Sequence, residues 1–242
     1  MTPPHDTPAV VLVHGANADS SGWAAVIGEL QADGLPVLAL ANPLRGLPGD
    51  AAYIAARVKQ IDGPVLLVGH SYGGAVITVA GTEADNVVGL VYVAAFIPDT
   101  GESPNEILAR FPSKFGEGIR PYTFPVNRTG ETAVEVSLAP EEYLSVFGAG
   151  MPADAAAVAA VSQRPIAASA LDDEASDAAW KTLPSWAVVA TADHAINPDA
   201  QRFMAKRAEA ATIEVDASHA VMVVEPKAVT EHIQAALQSV GG

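Results

Sequence analysis

VLLVGHSYGGA, residues Val65–Ala75, joins a strand pattern to a helix pattern across five residues. Val65–Val68 is a short apolar run of the kind a parallel strand buried on both faces requires. Gly69-His70-Ser71-Tyr72-Gly73 then satisfies G-x-S-x-G, and Gly74–Ala80 continues in small and apolar residues that suit a helix. Strand, sharp turn and helix form the context of a nucleophile elbow. A serine at the apex of such a turn holds a strained backbone, and glycines two residues to either side let strand and helix approach. A Gly/Ser-rich turn without chemistry is the competing reading of the bare pentapeptide. The flanking strand and helix favour the elbow.

The rest of the chain repeats this alternation. Strands are expected at Val10–Val13, Pro36–Leu40, Val87–Ala95, Trp186–Thr191 and Thr212–Val215, each apolar and short. Helical spacing marks Trp23–Ala32, with Ser20-Ser21-Gly22 placed to cap it, and Ala51–Ile61, where Ile54, Val58 and Ile61 share a face. Further helices are expected at Asp199–Glu209 and Lys227–Val240. No two of these strands are joined by a tight turn, so the pattern predicts an α/β fold with a mostly parallel sheet and right-handed crossovers. Between Pro98 and Leu183 the rhythm stops. A structureless loop of that length does not suit a compact domain, so residues 98–182 are expected to form a mainly helical cap (lid) insertion, with Asp154–Val161 one of its helices. Residues 1–97 and 183–242 then make up the core.

Composition narrows the partners. The 242 residues suit one large domain, and half of them are hydrophobic. A net charge of −15, from 13 Lys+Arg against 28 Asp+Glu, repels phosphate backbones, so nucleic acid is not an expected partner. The absence of cysteine removes disulfides, thiolate nucleophiles and Cys-ligated zinc. No membrane-spanning run and no signal-peptide pattern are visible, and a soluble cytoplasmic protein is the expectation. Asn127-Arg128-Thr129 fits a glycosylation acceptor, a match without meaning in that setting.

A serine hydroxyl needs a base within hydrogen-bond reach and a third group to hold that base in the right tautomer. Ser71, Asp193 and His219 each follow a predicted strand, and groups at the carboxyl ends of parallel strands share one crevice. His219 alone among the histidines lies in the loop directly after the last predicted strand and is the favoured base. His14 is expected to shape its turn, His70 to point away from Ser71 into packing or supporting hydrogen bonds, and His194 to be a bystander or a site wall. His5 lies near the terminus and His232 on the last helix. Asp193 is the favoured acid, and Asp99, beyond the strand ending near Ala95, is the alternative. Asp216 reads as a turn-former. Backbone amides of Tyr72, at the helix start, and of Ala16, in the His14-Gly15-Ala16 loop, are the expected oxyanion donors.

VVLVHGANADSSGW, VGHSYGGAV, VVATADHAINP and DASHAVMVVEP together resemble the α/β-hydrolase superfamily over nearly the whole chain, least over the cap. The resemblance is closest to small bacterial hydrolases that are also similar to plant methyl-ester esterases and hydroxynitrile lyases. It implies Ser71 as nucleophile, His219 as base, Asp193 as orienter, and Ala16 and Tyr72 as oxyanion donors, in the chain order Ser, Asp, His. Serine at the elbow differs from the dehalogenases and epoxide hydrolases of the superfamily, which use aspartate there. The similar lyases carry a lysine after the histidine and a threonine in the oxyanion loop, where this chain has Ala220 and Gly15-Ala16. The expectation is therefore a serine hydrolase acting by acyl transfer on a small-molecule, largely apolar ester, lactone or thioester, with no cofactor or metal required. Perhydrolase or haloperoxidase activity on the same triad, and a non-catalytic ligand-binding homologue, stay open at this point.

Overall fold

The computed structural model describes residues 7–241. Six strands form one parallel sheet: β1 (Ala9–Val13), β2 (Val37–Leu40), β3 (Val65–His70), β4 (Val87–Val93), β8 (Ser185–Ala190) and β9 (Ala211–Val215). Their order across the sheet is β2-β1-β3-β4-β8-β9. Alternate side chains of β1 show why the strands read as unbroken apolar runs. Val11 and Val13 enter one core with Ile54, Val58 and Ile77, while Val10 and Leu12 enter the other with Trp23, Leu30 and Ile233. Both faces are buried under helices, so neither admits a polar alternate.

Helices α1 (Ala24–Ala32) and α9 (Pro226–Val240) cover one face, with the short α8 (Val221–Val224) beside them. Helices α2 (Leu47–Val58), α3 (Tyr72–Glu83) and α7 (Pro198–Arg207) cover the other. Two starts differ from expectation. The turn before α1 is capped by Asp19, whose carboxylate accepts from Ser21 N–H at 2.7 Å, in place of the serines. Helix α2 begins four residues early because Pro48 suits the first turn of a helix.

Between β4 and β8, neighbours in the sheet, the chain carries α4 (Pro104–Arg110), α5 (Phe115–Gly118), a π-helical turn at Leu144–Gly148 and α6 (Ala153–Val161). It also carries three antiparallel strands outside the expected helical content: β5 (Ile119–Pro125), β6 (Thr132–Leu138) and β7 (Ile166–Ala167), in the order β5-β6-β7. Pro121 and Pro125 hide β5 in the sequence, and an edge strand is where a missing amide is tolerated. No single helix among the described residues is long and apolar enough to cross a membrane.

The sheet order reverses between β1 and β3: β2 lies to one side of this pair and β4 to the other. Val13 and Gly69 are register partners there, so the loops after both strands open into one crevice at their carboxyl ends.

Candidate active site

Ser71 sits between β3 and α3 with φ 55° and ψ −126°, a conformation few side-chain-bearing residues adopt. Its carbonyl accepts from Gly74 and Phe96 N–H at 2.9 and 3.1 Å, which holds the turn against the chain beyond β4. The neighbouring glycines are steric necessities. A Cβ on Gly69 would stand 2.5 Å from the Gly73 carbonyl oxygen, and one on Gly15 would stand 2.5 Å from Ser71 Cβ. The loop after β1 is thus pressed directly onto the elbow.

His219 and Asp193 meet from the loops after β9 and β8. The His219 Nδ1–H donates to Asp193 Oδ2 at 2.7 Å, with both side chains almost wholly buried. Asp193 is held on its other side as well. Its Oδ1 accepts from Ala195 and Ile196 N–H at 2.7 and 2.9 Å, and its Oδ2 also accepts from Gln201 Nε2 at 2.7 Å. Four donors on one carboxylate lock its direction. Gln201, on α7, is itself fixed by accepting from Ala190 N–H at 3.0 Å and donating to the Ile196 carbonyl at 2.9 Å. Sequence reasoning missed Gln201, since nothing in its local pattern separates it from a surface glutamine.

Ser71, His219, Ala16 and Tyr72 line one cavity, with Asn17, Phe96, Leu108, Phe115 and Phe147 among its other walls. Its volume of about 20 Å³ holds about one water molecule. No hydrogen bond joins Ser71 Oγ to His219 among the described residues; the ring's bonded nitrogen is Nδ1, which leaves Nε2 for the cavity. The Ala16 N–H has no partner among the described residues. The Tyr72 N–H, first in α3, has none within its helix. The Tyr72 hydroxyl donates to buried Asp50 Oδ2 at 2.9 Å, tying the helix start to α2. Burial pushes the Tyr72 phenol up and the Asp50 carboxyl up from their ordinary values.

The remaining histidines have other partners. His14 Nδ1–H donates to the Gly15 carbonyl at 2.8 Å and its Nε2 accepts from Asn42 N–H at 2.9 Å, so the neutral ring shapes the loop. Burial pulls its basicity down. His70 lies with its ring centroid 4.6 Å from that of His219, and its Nε2–H donates to the His219 carbonyl at 2.9 Å. Burial, then the neighbouring His219 ring, hold the His70 pKa well below the ordinary histidine value. His194 Nδ1 meets the Ser145 carbonyl at 2.8 Å, away from the cavity, and His232 bonds the Ala211 carbonyl at 3.0 Å. His5 lies outside the described residues. Asp99 is paired with Lys181 at 2.5 Å, whose ammonium holds its carboxyl below the usual range, and it does not reach His219.

The alpha/beta hydrolase family model matches residues 10–232. This chain belongs to the alpha/beta hydrolase family. As an alpha/beta hydrolase it is 31% identical over 132 residues to Methylesterase 8 of Arabidopsis thaliana, covering 46% of this chain and 48% of the relative. It is 33% identical over 123 residues to the carbendazim hydrolyzing esterase of Nocardioides sp. (strain SG-4G), covering 42% of this chain and 51% of that protein. The matches thus span about half the length of the curated relatives. Among solved structures, polyneuridine aldehyde esterase superposes with a TM-score of 0.81 over 98% of this chain and 100% of its own, at 17% identity. That likeness is one of fold.

Proposed function

We propose that this alpha/beta hydrolase is a serine esterase that cleaves a carboxylic ester of a small-to-medium, largely apolar substrate through an acyl-enzyme. One observation carries the reading: a buried His219–Asp193 pair of 2.7 Å whose imidazole lines the same cavity as Ser71. The half-length matches to two proteins named as esterases support it. In this reading residues 98–182 are the cap over a core of 1–97 and 183–242, since Leu108, Phe115, Phe147 and Leu171 roof the cavity.

His219 Nε2 takes the Ser71 hydroxyl proton as Oγ attacks the ester carbonyl. Asp193, held by four donors, keeps Nδ1 protonated and stabilises the imidazolium that forms. The oxyanion is received by the Ala16 and Tyr72 amides, the second at the positive end of α3. His219 then protonates the leaving alcohol, and water repeats the sequence on the acyl group. Ser71→Ala is expected to lower kcat on a small activated ester by about 10⁴-fold or more. A fluorophosphonate is expected to label wild type at Ser71 and to leave the variant unlabelled. Turnover of the variant within tenfold of wild type refutes the assignment.

A further inference from the structure

The cavity beside Ser71 is smaller than any ester, yet two larger spaces adjoin it. One, of about 430 Å³, shares Asn17 and Phe147 with it. The other, of about 510 Å³, shares Leu108, Phe115 and Leu171. An ester sends two arms away from its carbonyl, and the three spaces match acyl arm, carbonyl and alcohol arm.

Proton transfer decides which arm goes where. The leaving oxygen takes its proton from His219, so the alcohol arm departs on the imidazole side. Phe147 sets its ring edge-on to His219 with centroids 4.7 Å apart, and Ala220 follows His219 in the chain. Both wall the 430 Å³ cavity. The 510 Å³ cavity is walled by α4, α5 and the Ala168–Leu171 turn, away from the imidazole.

We propose that the 430 Å³ cavity is the subsite for the leaving alcohol arm, entered past Phe147, and that Asn17 recognises a hydrogen-bond donor on that arm. The proposal rests on the acyl-transfer reading of Ser71 and His219. Asn17 is 2% exposed, stands at the boundary of both cavities, and its carboxamide oxygen has no partner among the described residues. A hydroxyl or N–H on an arm passing from one cavity to the other completes it. Asp19 and Asp154 also wall the cavity and, among the described residues, no lysine or arginine does, which disfavours an anionic arm. The preferred substrate is then an ester of a mid-sized, donor-bearing alcohol without negative charge. A methyl ester leaves the subsite empty.

The test compares kcat/KM along two ester series: acetates with methyl, butyl and 2-phenylethyl leaving arms, and methyl esters with lengthening acyl chains. Filling the cavity from α6 by Ala159→Phe is expected to lower the 2-phenylethyl-to-methyl acetate ratio by about tenfold or more, while the ratios within the acyl series hold. Ala155→Leu, at the exposed mouth of the same cavity, is the second variant and is expected to move the ratio in the same direction. Asn17→Gly keeps the φ of 57° that residue 17 adopts and removes the carboxamide. It is expected to erase a preference for a 2-hydroxy-2-phenylethyl arm over the 2-phenylethyl arm. Ser71-dependent turnover with no change in the leaving-arm ratio, or with the acyl series falling instead, overturns the proposal. Turnover that survives Ser71→Ala overturns the underlying reading instead.

Discussion

Replacing His70 by glutamine is expected to remove acid sensitivity from the fold, by up to about 2 kcal/mol. The His70 ring is fully buried among Trp23, Phe147 and His219, and its Nδ1 has no partner among the described residues. Protonation there would place a charge where no acceptor waits, which is why burial holds its pKa well below the ordinary 6.5. In the unfolded chain the same ring titrates near that ordinary value. Below it the unfolded state binds a proton that the native state refuses, so native stability falls as pH falls. The limiting slope is about 1.4 kcal/mol per pH unit, and for a ring that stays neutral throughout, integration from pH 7.5 to 5 gives a ceiling of about 2 kcal/mol.

Glutamine offers an N–H toward the His219 carbonyl and does not titrate. His14 and His232 are also shifted down by burial and contribute with the same sign, but they remain in both proteins and cancel in the difference. Urea unfolding at several pH values between 7.5 and 5, with wild type and His70→Gln side by side, measures it. The wild-type free energy is expected to fall more steeply, the curves converging toward acid pH by up to about 2 kcal/mol. Parallel curves refute the claim that the native state excludes a proton from this ring.

Three other outcomes follow from the site's geometry. Asp193→Asn is expected to lower kcat by about 10⁴-fold by favouring the wrong His219 tautomer, and a loss under tenfold contradicts the pairing. Gly15→Ala puts a methyl group 2.5 Å from Ser71 Cβ and 2.8 Å from the His70 carbonyl oxygen, so loop and elbow must separate. A loss of about 10² in kcat/KM with a lowered Tm is expected, and wild-type kinetics disprove the close approach. Gln201→Leu strips one donor from Asp193 and orphans the Ala190 N–H, at a cost of about 1–3 kcal/mol in stability. A fall in kcat with little change in KM supports a positioning role, whereas a lower Tm with unchanged kcat leaves Gln201 purely structural.

The parallel sheet was legible because each central strand is buried on both faces, which forces an unbroken apolar run such as Val65–Val68. The elbow was legible because backbone crowding leaves glycine as the residue that fits on either side of Ser71. The β5–β6 hairpin was not legible. Tyr122, Val126 and Val134 are exposed there and two prolines interrupt the alternation that marks a half-buried strand. The start of α2 was obscured in the same way, since Gly46-Leu47-Pro48-Gly49-Asp50 carries loop residues into a helical turn.

The supporting groups of the site were hidden for a different reason. Ser71, Asp193 and His219 are recognisable because strand ends bring them together, and strands have a sequence pattern. Gln201 and Tyr72's partner Asp50 act through contacts that arise only after the loops have closed on one another, and the place of Asn17 arises the same way. Gln201 reaches Asp193 because α7 returns across the loop that carries the carboxylate. Asn17 stands between two cavities because Phe147, 130 positions later, faces it from the π-helical turn. Such residues have no local periodicity or spacing to betray them, and what distinguishes them is a buried polar atom and the company it keeps. On the proposed reading the chemistry of this site is written at strand ends, while the long segment between β4 and β8 supplies much of the wall of the cavities beside it. Substitutions there are expected to change which ester is taken more than how the bond is broken.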